Sequence, residues 1–171
     1  CLDRALSLKK DSPYLYNQKA FCLERLGRHR EATHCYRKSL TLQPHDPAVR
    51  DYLGQAHQVL GEYKTALACF DQVLRTHPDR EDTLYHRADV LYDMEEWDAC
   101  EQAYIAYIAR RPSSYHAHFN RGLCLRFLKR FLEAAHCFER ALEIRHDSAT
   151  AKKHLAYCLK RSRQLNPDSD G

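Results

Sequence analysis

Apolar residues recur along this chain every three or four positions, the spacing of one face of an α-helix, and each run stops at a short polar turn. Residues 47–80 show the pattern in full. Asp46-Pro47 supplies an N-cap acceptor followed by a residue whose backbone is preset for the first turn. A helix then runs to about Leu60, with Leu53, Ala56, His57 and Leu60 on its apolar side, and Gly61 breaks it. A second helix starts near Tyr63 and gathers Ala66, Phe70, Val73 and Leu74 on one face. Pro78 stops it, because proline has no N–H to donate and clashes with the preceding turn.

The same pattern returns when the chain is laid over itself so that position 13 meets 47, 47 meets 81 and 81 meets 115. Small residues stand at Ala20, Gly54, Ala88, Gly122 and Ala156, and again at Ala32, Ala66, Cys100 and Ala134. Aromatics stand at Tyr36, Phe70, Tyr104 and Phe138, with Leu2 one period earlier. Aliphatics run through Leu6, Leu40, Leu74, Ile108 and Leu142, and prolines fall at Pro44, Pro78 and Pro112. Small residues let the two helices of a unit approach closely, and the aromatic fills the space beside them. A helix pair of this size cannot bury its apolar face alone, so successive pairs must stack.

A small residue, a turn glycine, an alanine, an aromatic, a further small residue and a proline, all on one common period, resemble the tetratricopeptide repeat; Asn120 to Ile144 is the closest stretch. The resemblance covers nearly the whole chain. It implies an all-α fold, a right-handed superhelical solenoid of antiparallel helix pairs. Four full repeats are expected at 13–46, 47–80, 81–114 and 115–148. Residues 1–12 read as the second half of an earlier repeat, 149–163 as a final capping helix, and 164–171 as a disordered tail. A second helix without its first would expose Leu2, Ala5 and Leu6, so the chain reads as a fragment of a larger protein; the rival reading is an end that self-associates.

Composition narrows the chemistry. With 27 Lys and Arg against 23 Asp and Glu, the net charge of +4 is mild for a nucleic-acid binder. The longest nearly apolar run, Ala103 to Ala109, is far short of the ~20 residues of a membrane span. The eight cysteines follow the repeat: Cys1, Cys35, Cys69 and Cys137 share one column, Cys22, Cys124 and Cys158 another, and Cys100 replaces an alanine. None forms a Cys-x-x-Cys pair, so they read as small semi-buried residues in a reducing compartment, the cytoplasm. Asp82, His86, Asp89 and Asp93 share one helix face and could in principle hold a divalent metal; a solvated acidic face accounts for them better. His57 stands in a leucine column and is expected to point inward with a partner. There is no phosphate loop and no nucleophile motif. The expectation is therefore a protein that is not an enzyme, with no cofactor and no metal.

In the resembled family the first helices of the repeats line a concave groove for ligands. Carried over position by position, the groove takes Tyr14, Asn17 and Phe21 from the first repeat and Asp51, Tyr52 and Gln55 from the second. It takes Asp82, Tyr85, His86, Asp89 and Tyr92 from the third, Phe119 and Asn120 from the fourth, and Lys153 and Tyr157 from the last helix. Aromatics are common among them, the middle is acidic and the end basic. The resemblance thus implies a scaffold that binds a partner protein or linear peptide. The alternatives are an RNA-binding repeat, opposed by the acidic middle, or a self-assembly segment. The Lys, Asn, Asn, Lys, Arg set of chaperone-tail binders is absent. The asparagine ladder of the sugar-transferase members is also absent, since that column reads Gln18, Tyr52, His86, Asn120 and His154.

Overall fold

The computed structural model describes residues 11–165, and the readings above that concern residues 1–10 and 166–171 lie outside them. Among the described residues the chain forms α-helices and no strand. The helices are α1 (Pro13–Arg25), α2 (His29–Leu42), α3 (Pro47–Val59), α4 (Tyr63–Thr76), α5 (Glu81–Asp93), α6 (Trp97–Arg110), α7 (Tyr115–Phe127), α8 (Phe131–Ile144) and α9 (Ala149–Leu165). Odd-numbered helices start at positions 13, 47, 81, 115 and 149, and even-numbered ones at 29, 63, 97 and 131, so both sets keep the period of the sequence. The fold is an all-α helical-repeat solenoid. No described helix is long and apolar enough to cross a membrane.

Start and stop signals repeat with the helices. Ser12, Asp46 and Ser114 cap α1, α3 and α7 through side-chain oxygens that accept from backbone N–H groups of the first turn. Inside each pair the turn closes by one device: the N–H groups of Arg28, Glu62, Glu96 and Arg130 donate to the carbonyls of Leu23, His57, Leu91 and Leu125 at 2.8–3.0 Å. This six-to-one bond needs a left-handed residue just before the donor. Gly27 and Gly61 supply it at φ 72° and 74°; Glu95 and Lys129 adopt the same conformation at φ 59° and 61°, where a side chain is strained.

The chain divides into two compact units, residues 1–90 and 91–171, at a point inside α5. In the first unit α1 packs on α2, α2 on α3 and α3 on α4. Its core holds Ala20, Leu23, Ala32, Tyr36, Leu53 and Ala56. In the second unit α6 packs on α7, α7 on α8 and α8 on α9, around Leu125, Phe131, Ala134, Phe138 and Cys158.

The aromatic column is the keystone of each pair: Tyr36, Phe70, Tyr104 and Phe138 are all at most 1% exposed. A methyl group on Gly54 would come within 2.6 Å of the Phe70 ring, and one on Gly122 within 2.9 Å of Phe138. The two columns vary together. Where the small residue is glycine the ring one half-repeat later is phenylalanine (Gly54 and Phe70, Gly122 and Phe138); where it is alanine the ring is tyrosine (Ala20 and Tyr36, Ala88 and Tyr104). Both tyrosine hydroxyls are used: Tyr36 donates to Glu24 at 2.9 Å, and Tyr104 accepts from Asn120 at 3.0 Å. Burial and the Glu24 carboxylate push the Tyr36 phenol far above its ordinary pKa, so it stays a donor at any physiological pH.

Candidate partner-binding surface

In the first unit the first-helix residues fall into two groups. Tyr14, Phe21 and Tyr52 are 67%, 54% and 48% exposed. Tyr52 lies against Tyr36 with ring centroids 6.0 Å apart, so a buried ring backs an exposed one. Asn17 is half-buried, and its side-chain oxygen is enclosed without a hydrogen-bond partner among the described residues.

The second group turns inward, and Asp51 is the main correction to the sequence reading. Expected to face a ligand, it is 3% exposed. Thr83 donates to one oxygen at 2.6 Å; Gln55 and His86 reach the other at 2.8 and 2.9 Å. Burial raises the carboxyl pKa, but the hydrogen bonds from His86 and Thr83 outweigh it, so the group sits below its ordinary value and remains ionised. Asp51, Gln55 and His86 therefore tie α3 to α5 instead of waiting for a partner. His86 is further held 5.7 Å from the Phe70 ring centroid. Tyr85 and Asp89 are half-buried and engaged within the protein, whereas Asp82 is exposed. No group of three metal-ligating residues assembles among the described residues.

His57 does point inward, at 1% exposure. Its Nδ1 meets a Glu62 oxygen at 2.5 Å and its Nε2 meets the Arg37 guanidinium at 3.2 Å. Arginine can only donate, so Nε2 accepts from Arg37 and Nδ1–H donates to Glu62. Arg87 and Arg121 stand in a column that holds Leu53 and Leu155 in other repeats. Arg87 pairs with Asp71 at 2.6 Å, and Arg121 with Glu101 at 2.8 Å. Glu101 is 2% exposed and takes a second arginine, Arg130, at 2.6 Å. A buried carboxylate needs such compensation, and the periodic pattern gave no sign of it. Cys22 also departs from its column: it is exposed, while the other described cysteines are buried.

The second unit builds an aromatic and cationic surface. Trp97, at the start of α6, stacks on Phe127, at the end of α7, with centroids 4.2 Å apart; Tyr92 meets both edge-on. The Arg126 guanidinium lies 5.1 Å from the Phe127 ring and 5.8 Å from the Tyr157 ring, and donates to His154 Nδ1 at 3.2 Å. Burial, then Arg126 and Lys153, lower the His154 pKa, so this imidazole stays neutral. Arg161 stands 5.8 Å from the Phe131 ring, whose other neighbour is Tyr157. Phe127 and Tyr157 are 45% and 46% exposed, and Lys153 is exposed beside them. Phe119, half-buried, stacks on Tyr115 and meets Phe138 edge-on, and Asn120 spends its amide on Tyr104. Neither is left open to a ligand in the way the sequence suggested. Trp97 was missed: it opens a second helix, and only first-helix positions were assigned to the groove. Its signal in the sequence is that it is the chain's single tryptophan, close behind the left-handed turn residue Glu95.

Comparison with known proteins follows the periodicity. A family model described as tetratricopeptide repeat matches residues 85–149. A model of the same repeat type, described as anaphase-promoting complex, cyclosome, subunit 3, matches residues 14–107, more than half of the chain. A curated relative, the fruit fly (Drosophila melanogaster) protein O-mannosyl-transferase Tmtc2, is 33% identical over 84 residues. That match takes in 48% of this chain and spans 9% of the relative's length. Solved structures share the fold at lower identity. MamA from Desulfovibrio magneticus RS-1 superposes with a TM-score of 0.76 at 20% identity, over 90% of this chain and 97% of that one. YrrB, described as a repeat protein of this type with an unusual peptide-binding site, gives 0.77 at 21% identity, over 99% and 94%.

Proposed function

Because the chain belongs to the tetratricopeptide repeat family, we propose that it is a protein-interaction module that holds a linear peptide of a partner against the faces of its first helices. One observation carries the reading. The aromatics that stand exposed are Tyr14, Phe21, Tyr52, Phe127 and Tyr157, and every one lies on a first helix, in α1, α3, α7 or α9. Exposed large residues of the second helices, Leu42, Ile105, Leu132 and Ile144, are aliphatic. Rigid aromatic rings confined to one helix set are the anchors from which peptide interfaces are built.

Charge adds the partner's chemistry. Helix α9 carries Lys152, Lys153, Lys160, Arg161 and Arg163 and no carboxylate. Arg126 beside it is held by two rings and an imidazole, with its positive charge uncompensated by any carboxylate among the described residues. An acidic peptide with an aromatic or aliphatic side chain matches that surface. Binding without catalysis is the reading, in a cytoplasmic setting that fits the thiol state of the described cysteines.

The test is a fluorescence-anisotropy titration of the full chain against short Asp/Glu-rich peptides bearing one Phe or Leu, with Lys/Arg-rich peptides and a generic RNA as comparison arms. A single linear peptide should bind at micromolar strength, ~−8 kcal/mol. Arg126→Ala and Tyr157→Ala should each weaken the acidic peptide about tenfold, a loss of ~1.4 kcal/mol. Equal binding of acidic and basic peptides, or preference for RNA, would discard the assignment.

A further inference from the structure

One position in the second helix of each pair and one in the first helix of the next recur at a constant separation in every period. The pairs are Ala32 and Ala56, Ala66 and Val90, Cys100 and Cys124, and Ala134 and Cys158, and all eight residues are 0% exposed. Each period thus keeps both positions closed to solvent. Only at Cys100 and Cys124 are both of them thiols. There the two Sγ atoms, one from α6 and one from α7, are in direct contact at 2.7 Å. Both are thiols outside any disulfide, within a single compact unit.

We infer that Cys100 and Cys124 form a specific modification site, an intrachain disulfide that fastens α6 to α7 when the protein meets an oxidant. The two sulfurs already touch, so the bond of about 2.05 Å asks them to close by less than an ångström. The other described cysteines lack this arrangement: Cys158 has Ala134 where Cys124 has Cys100, Cys22 shares the column of Cys124 but is exposed, and Cys35, Cys69 and Cys137 sit in a different column of the repeat. The chemistry balances with a disulfide such as oxidised glutathione. The thiolate of one cysteine attacks it, forms a mixed disulfide and releases one glutathione thiolate. The second cysteine then attacks the protein sulfur of that mixed disulfide and releases the second glutathione. Two protein S–H bonds are lost, one S–S bond forms, and the oxidant leaves as two reduced thiols. A pair at 0% exposure admits glutathione only when α6 and α7 part locally or before the chain has folded. Once formed, the link is shielded from reductants by the same packing.

The test uses the full chain, refolded from urea in a glutathione redox buffer, quenched with acid and alkylated. Trypsin releases residues 88–110 and 122–126, each with a single cysteine, so their linked product identifies the bond in a mass spectrum. The expected result is this linked pair as the dominant disulfide. The oxidised chain should melt about 5 °C or more above the reduced one, since the bond restrains the unfolded state. Cys100→Ala and Cys124→Val install the residues that neighbouring periods carry at these positions. Each should fold and melt within a few degrees of the reduced native chain, and each should lose both the linked product and the oxidant-dependent shift. Scrambled pairing among the cysteines, absence of the linked product after refolding, or an oxidised chain that melts no higher than the reduced one would overturn the assignment. Refolding under oxidant removes the objection that the pair is merely out of reach.

Discussion

At the scale of residues, two positions carry sharp expectations. Gly54→Ala drives a methyl group into the Phe70 ring and should cost about 1–3 kcal/mol in urea unfolding, although alanine is the better helix former. Adding Phe70→Leu makes room, so the double variant should lose less than the two single losses combined. The second expectation concerns pH. The Asp51 pKa is lowered in the folded protein, because hydrogen bonds from His86 and Thr83 overcome the effect of burial. Its stabilisation is therefore complete above the unfolded-state value of ~3.9 and is lost as pH falls through the lower folded value. Melting temperature should drop more steeply below about pH 4 in the native chain than in Asp51→Asn. The aromatic and small columns were readable in the sequence because packing volume repeats with every helix pair. The burial of Asp51 was not, because its partners Thr83 and His86 belong to the next repeat and the neighbouring repeats carry no equivalent trio.

At the scale of elements, helix starts were legible because each signal is local: a cap oxygen, a proline, a break. Asp46 accepts from the N–H groups of both Ala48 and Val49, so Asp46→Ala should cost about 1 kcal/mol, with faster hydrogen exchange confined to the first turn of α3. The turns inside the pairs give the opposite kind of change. Lys129 holds φ 61° where the equivalent residues of the first two pairs are glycines. Lys129→Gly should therefore stabilise the fold by about 0.5–1 kcal/mol, and Gly61→Lys should destabilise it by a similar amount, both measured by denaturant titration. What the elements concealed is which of their faces are used up. A first helix offers the same outward positions in every repeat, yet Tyr52 stands open while Gln55, one turn later, is spent on Asp51.

At the scale of the whole molecule, charge is unevenly spread. Residues 91–165 hold 13 Lys and Arg against 9 Asp and Glu, whereas residues 11–90 hold 11 of each. Reversing Lys153 and Arg161 together to glutamate in the full chain should abolish acidic-peptide binding. It should also flatten its salt dependence, read as affinity between low and high salt, while circular dichroism stays unchanged. Fold was legible at this scale because stacking needs a period; the partner was not, since one fold serves many partners and recognition rests on a few unrepeated side chains such as Arg126 and Trp97. The paired columns of glycine with phenylalanine and alanine with tyrosine lead further. They alternate, so the backbone repeats with each helix pair but the packing grammar repeats only with every second one. A half-step rearrangement of this chain, one that inserts, deletes or transplants a single repeat, sets two pairs of the same kind side by side. A full step of two repeats preserves the rhyme, and blocks of two are the natural modules for recombining or rebuilding this protein.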